Sequence, residues 1–309
     1  MNYIEFGKNN VQLSTIILGM MRISSMSVRE VSQLIDSALD VGINAFDLAD
    51  CYADGLCEKI VGEVLTSRPD LRDRMWIQSK CGIRREDGIK YFDFSKEHIT
   101  EAIDSILMRL KTDHIDSLLL HRPDTLMEPE EIDEAIDAAV KAGKVIDFGV
   151  SNMNPMMIDL LKDNVKEKIS INQIQMSAAF TPAIDAGLHF NMSTEAGTMR
   201  DGSILEYCRL HNIVIQTWSV LQYGYFKGVF IGNSKYPELN KVLTRIAKEQ
   251  NVSPSAVAIA WVLRYPHKMQ AVIGTTKADR VREMALATDV KLSRKEWYEI
   301  YQSAGNTLP

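Results

Sequence analysis

Short apolar runs alternate with longer stretches of helical spacing along most of the chain. The clearest such unit lies between Gly42 and Gly62. It begins as the apolar run Ile43-Asn44-Ala45-Phe46, the pattern of a buried strand in a parallel sheet. Three polar groups follow, Asp47, Asp50 and Tyr52, and then Leu56, Ile60, Val61, Val64 and Leu65 fall near helical spacing. Asp47 is therefore expected at the carboxyl end of a strand, and Tyr52 on the loop that leads into a helix. In a strand-helix barrel that is the face where chemistry occurs.

The same alternation fills the rest of the chain. Tyr3 to Phe6 and Val11 to Leu13 alternate around Gly7-Lys8-Asn9-Asn10, which predicts a short hairpin. Thr15 to Leu18 predicts the first barrel strand, stopped by Gly19, and Val28 to Leu39 its helix. Met75 to Gln78 predicts the third strand. A polar loop follows, then a helix from about Ser95 to Leu110 with Ile99, Ile103, Ile106, Leu107 and Leu110 on one face. Strands over Ile115 to Leu120, Val145 to Val150 and Ile171 to Gln175 alternate with helices over Glu131 to Val140, stopped by Gly143, and from Pro155. Met176 to Gly202 breaks the rhythm. A loop of this length in a compact domain is usually functional or disordered, and its place after the sixth strand predicts a flap over the substrate. Further on come a helix over Ser203 to His211, a strand from Ile213, helices over Pro237 to Gln250 and Pro254 to Tyr265, and a strand over Ala271 to Ile273. Helices over Asp279 to Leu286 and Arg294 to Ser303 close the chain. Ser253 and Pro254 supply a cap and a first-turn proline. The pattern predicts an α/β fold, a (β/α)8 TIM barrel with an N-terminal hairpin and two extra helices, as one domain over 1–309. Such a barrel serves many chemistries, so the count alone implies fold and not function.

Composition narrows the partners. The chain has 309 residues and a formal charge of −6, which speaks against nucleic acid or an anionic membrane as the main partner and leaves room for a local basic pocket. Cys51, Cys57, Cys81 and Cys208 show no C-x-x-C spacing and are too sparse for a disulfide framework or a zinc site. No charged-then-apolar leader and no long apolar span stand out. A cytoplasmic protein is expected, with no metal: no paired carboxylates or metal-ligand cluster is apparent. No G-x-G-x-x-G follows a strand, so a Rossmann dinucleotide site is not supported.

Three motifs carry a resemblance. Gly42 to Gly55 resembles the aldo-keto reductase signature G-x-x-x-F-D-T-A-x-x-Y-G, with Leu48 at the Thr position and the last Gly displaced to Gly55. Trp76-Ile77-Gln78-Ser79-Lys80 resembles the strand that carries the family's lysine, and Leu118-Leu119-Leu120-His121-Arg122-Pro123 the strand that carries its histidine. The resemblance runs from Gly19 to Arg280. It implies that Asp47, Tyr52, Lys80 and His121 form a catalytic tetrad, with Tyr52 the general acid in carbonyl reduction. An unperturbed tyrosine has a pKa of about 10. Lys80 is expected to lower it, since a nearby ammonium favours phenolate; Asp47 would hold Lys80 charged, and His121 would orient the carbonyl oxygen.

The resemblance also implies NADP as cofactor, bound on the barrel. Gly19, Met20, Met21 and Asp47 would lie beneath it, Ser151, Asn152 and Gln175 would meet the carboxamide, and Trp218 would stack on the nicotinamide beside Ser219, Val220 and Leu221. Gly274, Thr275, Thr276, Lys277, Arg280 and Glu283 match the phosphate segment. Hydroxyls and N–H groups at a helix start suit an anion, and the two cations favour NADP over NAD. Tyr52, His121, Met21 and Tyr223 would line the substrate pocket. The implied activity is reduction of small-molecule aldehydes or ketones by a monomer or weak homo-oligomer. The alternative is a nucleotide-binding regulatory module resembling the channel beta subunits of the same family.

Overall fold

The computed structural model describes residues 1–7 and 10–309. β1 (Tyr3–Phe6) and β2 (Val11–Ser14) form an antiparallel hairpin; Lys8 and Asn9, which the sequence puts in its turn, lie outside the described residues. Then come β3 (Ile16–Gly19), α1 (Val28–Asp40), β4 (Ala45–Asp47), α2 (Leu56–Ser67), β5 (Trp76–Cys81), β6 (Ile83–Glu86), β7 (Ile89–Phe92), α3 (Lys96–Leu110), β8 (Ile115–Leu120) and α4 (Pro129–Lys141). They are followed by β9 (Val145–Ser151), α5 (Pro155–Asn164), β10 (Ile169–Gln175), α6 (Pro182–Leu188), α7 (Ile204–Leu210), β11 (Val214–Trp218), α8 (Pro237–Glu249), α9 (Pro254–Leu263), β12 (Met269–Ile273), α10 (Ala278–Ala285) and α11 (Arg294–Ser303). Strands β3, β4, β5, β8, β9, β10, β11 and β12 pair in that order and close a parallel barrel. This is the expected (β/α)8 TIM barrel.

Period-two alternation decides what fills the barrel. Ile17, Ala45, Trp76, Leu119, Ile171, Val214 and Val272 form one apolar layer with Phe6 and Leu13 of the hairpin. Phe6 meets Trp76 edge-on, centroids 5.4 Å apart. The hairpin thus plugs the amino end of the barrel and leaves the carboxyl end open. The outward strand residues join the larger core beneath the helices.

Two expectations about loops are corrected. The polar stretch after the third strand is a second hairpin, β6 paired with β7. Its turn residues Asp87 and Gly88 have φ of 50° and 81°, the positive values that a two-residue type I′ turn requires. The strands are charged on both faces, so no apolar alternation marks them. Gly82 makes the exit from β5 possible: its φ is +102°, and a Cβ there would lie 2.2 Å from the Phe94 ring. Residues 176–202, expected to cover the substrate, contain α6 and a 3-10 turn over Glu195–Gly197. They tie the barrel to the chain's end: the Tyr301 hydroxyl donates to Asp185 Oδ1 at 2.7 Å, and His189 Nε2 lies 2.9 Å from Thr307 O.

Candidate active site

Asp47 ends β4, Lys80 lies inside β5, His121 follows β8, and Tyr52 stands on the loop between β4 and α2. The fold brings all four to the open end of the barrel. Lys80 is fully buried. Its Nζ reaches Asp47 Oδ1 at 2.7 Å, Leu48 O at 2.8 Å and Tyr52 Oη at 3.1 Å. An ammonium has three protons and no acceptor, so this set uses all of them. Tyr52 Oη accepts from Lys80 and keeps its own proton for another partner. Burial opposes the charge on Lys80, but Asp47 and Tyr52 outweigh it, and its pKa lies above the usual lysine value.

Tyr52 behaves differently from the expectation. Burial pushes its pKa up to about 12; the Lys80 charge opposes this, but Asp47 pushes the other way. The phenol is therefore protonated at neutral pH. His121 sits with its ring edge-on to Tyr52, centroids 5.9 Å apart. Burial, then the charges of Lys80, Arg122 and Lys90, hold its imidazole well below the usual histidine range, so it is neutral. Cys51 Sγ lies 3.6 Å from His121 Nδ1. Burial raises that thiol to about 11, so sulfur carries a proton. We assign that proton to Nδ1 as donor to acceptor, which leaves the ring N–H on Nε2.

Beneath the tetrad lies a layer of amides that sequence reading missed. Gln78 Nε2 donates to Asp47 Oδ1 at 2.6 Å and to Gln216 Oε1 at 2.9 Å. Gln173 Nε2 donates to the same two atoms, each at 3.0 Å. Gln216 Nε2 returns a bond to Gln78 and another to Gln270, whose own Nε2 donates to Ser14 O. A buried polar network is favourable only when its members are satisfied, and these four amides close on one another. They fix Asp47 from below while Lys80 holds it from above. Four glutamines at alternating inward positions of β5, β10, β11 and β12 were the available signal.

A cavity of about 710 Å³ opens above this layer. Of the residues singled out in the sequence, Gly19, Met21, Asp47, Tyr52, His121, Ser151, Asn152, Trp218, Ser219, Val220, Leu221, Gly274, Thr275, Thr276, Lys277, Arg280 and Glu283 line it. Four others do not, the fully buried Lys80 among them. Met20 is fully buried, its N–H bonded to Asp47 O. Gln175 stays off the wall, its Nε2 buried without a hydrogen-bond partner, whereas Gln173, two residues earlier on the same strand face, is on it. Tyr223 packs on Tyr236 with centroids 5.3 Å apart, and Tyr225 and Phe226 line the cavity instead. No residue from 176 to 202 is on the wall, which removes the flap. The wall also carries Cys51, Ile83, Arg85, Lys90 and Arg122, none of which was assigned a role from sequence. Asp50, Cys51 and His121 bring donor atoms within 4.8 Å of one another. That grouping was invisible in the sequence, since His121 comes from a different loop.

Ser151, Asn152 and Trp218 form a chain. Trp218 Nε1 donates to Asn152 Oδ1 at 3.1 Å, Asn152 Nδ2 to Ser151 Oγ at 2.8 Å, and Ser151 Oγ to Gln173 O at 2.8 Å. At the far wall, Lys277 and Arg280 flank the start of α10, and Arg22 Nη1 holds Gly274 O at 3.2 Å. The cavity is thus long, amide-lined near the tetrad and cationic at the end of β12.

The aldo/keto reductase family model matches residues 15–304. The chain belongs to that family. It is 36% identical to a 6-dehydroglucose reductase of Agrobacterium fabrum, over 96% of each chain. It is 33% identical to the oxidoreductase YdhF of Escherichia coli, over 97% of each. Among solved structures it superposes on an aldo-keto reductase from Klebsiella pneumoniae in complex with NADPH with a TM-score of 0.76, at 22% identity, over 97% of this chain and 94% of that one. This member of the family thus keeps its barrel over nearly the whole length. No helix among the described residues is long and apolar enough to cross a membrane.

Proposed function

We propose that this aldo/keto reductase is an NADPH-dependent enzyme that reduces small aldehydes or ketones to alcohols, with Tyr52 as general acid. One observation carries the reading: the three protons of Lys80 are all engaged, so the Tyr52 hydroxyl has its proton free beside a neutral His121. The residues present fit a nicotinamide dinucleotide. The cavity is elongated, has amide and hydroxyl groups near Tyr52, and ends in Arg22, Lys277 and Arg280 at a helix start suited to phosphate. The Klebsiella neighbour with bound NADPH supports this cofactor, and the 6-dehydroglucose reductase supports a small hydrophilic carbonyl substrate.

When bound, NADPH supplies the hydride. The chain does the rest. His121 Nε2–H and the Tyr52 hydroxyl together hold the carbonyl oxygen. As charge develops on that oxygen, Tyr52 transfers its proton to it, and Lys80 Nζ stabilises the phenolate left behind. Asp47 and the amide layer keep Lys80 from moving with the charge. The phenolate regains its proton from solvent before the next turnover.

Tyr52→Phe removes only the proton donor. Carbonyl reduction is expected to fall by roughly 10²–10⁴-fold, with NADPH affinity unchanged in a fluorescence titration. Undiminished turnover, or an equal loss of NADPH binding, would overturn the assignment. Absence of turnover by the unaltered protein on any carbonyl would favour the non-enzymatic regulatory module instead.

A further inference from the structure

The cavity wall carries six cations, Arg22, Arg85, Lys90, Arg122, Lys277 and Arg280, but only two carboxylates, Asp47 and Glu283. This is a basic site in a protein of net charge −6. Lys277 and Arg280 adjoin the end of β12, and Arg22 bonds to Gly274 there. The other three stand elsewhere. In the closed strand order β12, β3, β4, β5, β8, the strand β8 is directly across the barrel from β12. Arg122 follows β8, and the β6–β7 hairpin follows β5. A dinucleotide phosphate at the β12 end does not explain them.

Their arrangement is costly as it stands. Arg85 and Lys90 are direct partners in the hairpin register, and like charges facing each other across strands destabilise the pair. The opposite face of the hairpin shows the contrast: Arg84 is paired with both Glu86 and Asp93. Among the described residues, no carboxylate pairs with Arg85, Lys90 or Arg122. Arg122 is half-buried, with its guanidinium 5.4 Å from the Trp218 ring centroid and 5.7 Å from that of Tyr225. Burial lowers its pKa, and the groups that oppose this are Tyr225, Tyr52 and Cys51 rather than a carboxylate. Asp47 is taken by Lys80, and Glu283 lies on α10, beside β12. A partly desolvated guanidinium held by two aromatic faces, without a counter-ion and next to His121, matches the way proteins recognise planar oxyanions.

We propose that Arg122, Arg85 and Lys90 form a subsite for an anionic group of the substrate, so that the preferred carbonyl compound carries a carboxylate, sulfonate or phosphate. This rests on the reductase reading above and deepens it. The anion sits between Arg122 and the hairpin while the carbonyl oxygen reaches Tyr52 and His121. It also neutralises the opposed pair Arg85 and Lys90, so binding tightens the hairpin over the cavity mouth.

The test compares 4-carboxybenzaldehyde, 4-formylbenzenesulfonate and 4-formylphenyl phosphate with benzaldehyde, in the unaltered protein and in the double variant R85A/K90A. The two hairpin residues are exposed, so the exchange leaves the barrel core untouched. The ratio of kcat/KM for the best anionic aldehyde over benzaldehyde is expected to exceed about tenfold and to fall roughly tenfold or more in the variant, the scale of a charge-assisted contact. The three anionic aldehydes identify the head group. Calorimetric titration of benzoate and benzamide into the NADP⁺ complex gives a readout independent of turnover, with benzoate expected to bind at least about tenfold tighter and to lose that margin in the variant. A ratio near one in the unaltered protein, equal losses on charged and neutral aldehydes in the variant, or equal binding of benzoate and benzamide overturns the subsite. No turnover of any aldehyde while benzoate keeps its margin would instead overturn the reductase reading and leave the anion site standing.

Discussion

Single side chains in this barrel are set by how many hydrogen bonds each can make. Lys80 spends its three protons on Asp47, Leu48 O and Tyr52, and that arithmetic leaves the Tyr52 hydroxyl proton free. The cationic end of the cavity follows a similar logic. Lys277→Ala or Arg280→Ala is expected to weaken NADPH by about 1.5–3 kcal/mol while leaving NADH nearly unaffected, since the 2′-phosphate is the difference between them. Fluorescence titration with both nucleotides checks this, and parallel losses would show that the segment does not read the phosphate. Asp50 makes a different point. Its Oδ1 is buried without a hydrogen-bond partner, and burial, then Glu58, push its pKa up to about 7 against the pull of Arg109. An unfolded aspartate has a pKa near 3.9. Between about pH 4 and 7 the folded chain therefore holds a proton that the unfolded chain has lost, and stability from this site falls as pH rises through that window. Above it the folded protein bears the whole cost of the buried charge. Asp50→Asn is expected to raise Tm at pH 8 and to change it little at pH 4. A gain of the same size at both values would mean that charge is not the cause.

Between elements, close approach of backbones carries information to the site. Gly62 on α2 faces α3 so tightly that a Cβ would lie 2.1 Å from Arg109 O and 2.9 Å from the Leu110 carbonyl carbon. Arg109 Nε in turn bonds Glu58 Oε2 at 2.7 Å, and Ser79 Oγ bonds Glu58 Oε1 at 2.5 Å, one residue before Lys80. Gly62→Ala must push α3 away from α2. Overpacking of this kind costs about 1–3 kcal/mol, which corresponds to a fall in Tm of roughly 1.5–5 °C in a chain of this size. Calorimetry measures it, and an unchanged Tm would show that the helices slide apart freely. The helices themselves were easy to read from their apolar periodicity and caps. The β6–β7 hairpin was not, because its exposed strands bear charge on both faces; Asp87-Gly88 was the usable sign of it.

For the molecule as a whole, residues 182–199 act as a strap and not as a flap. They hold α11 and the C-terminal residues through Asp185 and His189. Replacing them by a short turn is expected to remove about 2–4 kcal/mol of stability while leaving the ranking of carbonyl substrates as it was. Thermal unfolding and a panel of small aldehydes and bulky ketones separate the two effects. A changed ranking with unchanged Tm would restore the flap.

Strand and helix order, the N-terminal hairpin and the barrel were legible along the chain because side-chain periodicity is a local property: two residues per repeat in strands, 3.6 in helices. The positions of Asp47, Tyr52, Lys80 and His121 at the open end follow from that periodicity, since Asp47, Lys80 and His121 lie at or beside the ends of strands and Tyr52 on the loop after one. What they do to one another does not follow from it. Whether Tyr52 is pushed up or down depends on the balance of burial against Lys80 and Asp47, and that balance exists only once the strands have closed. The same holds for the wall of the cavity. That Gln173 and Tyr225 line it and Gln175 and Tyr223 do not, the amide layer, and Arg85 beside Lys90 are settled by register and loop direction between residues far apart in sequence. Distance in space, burial and the count of available partners belong to the closed barrel, and the chemistry is set by them.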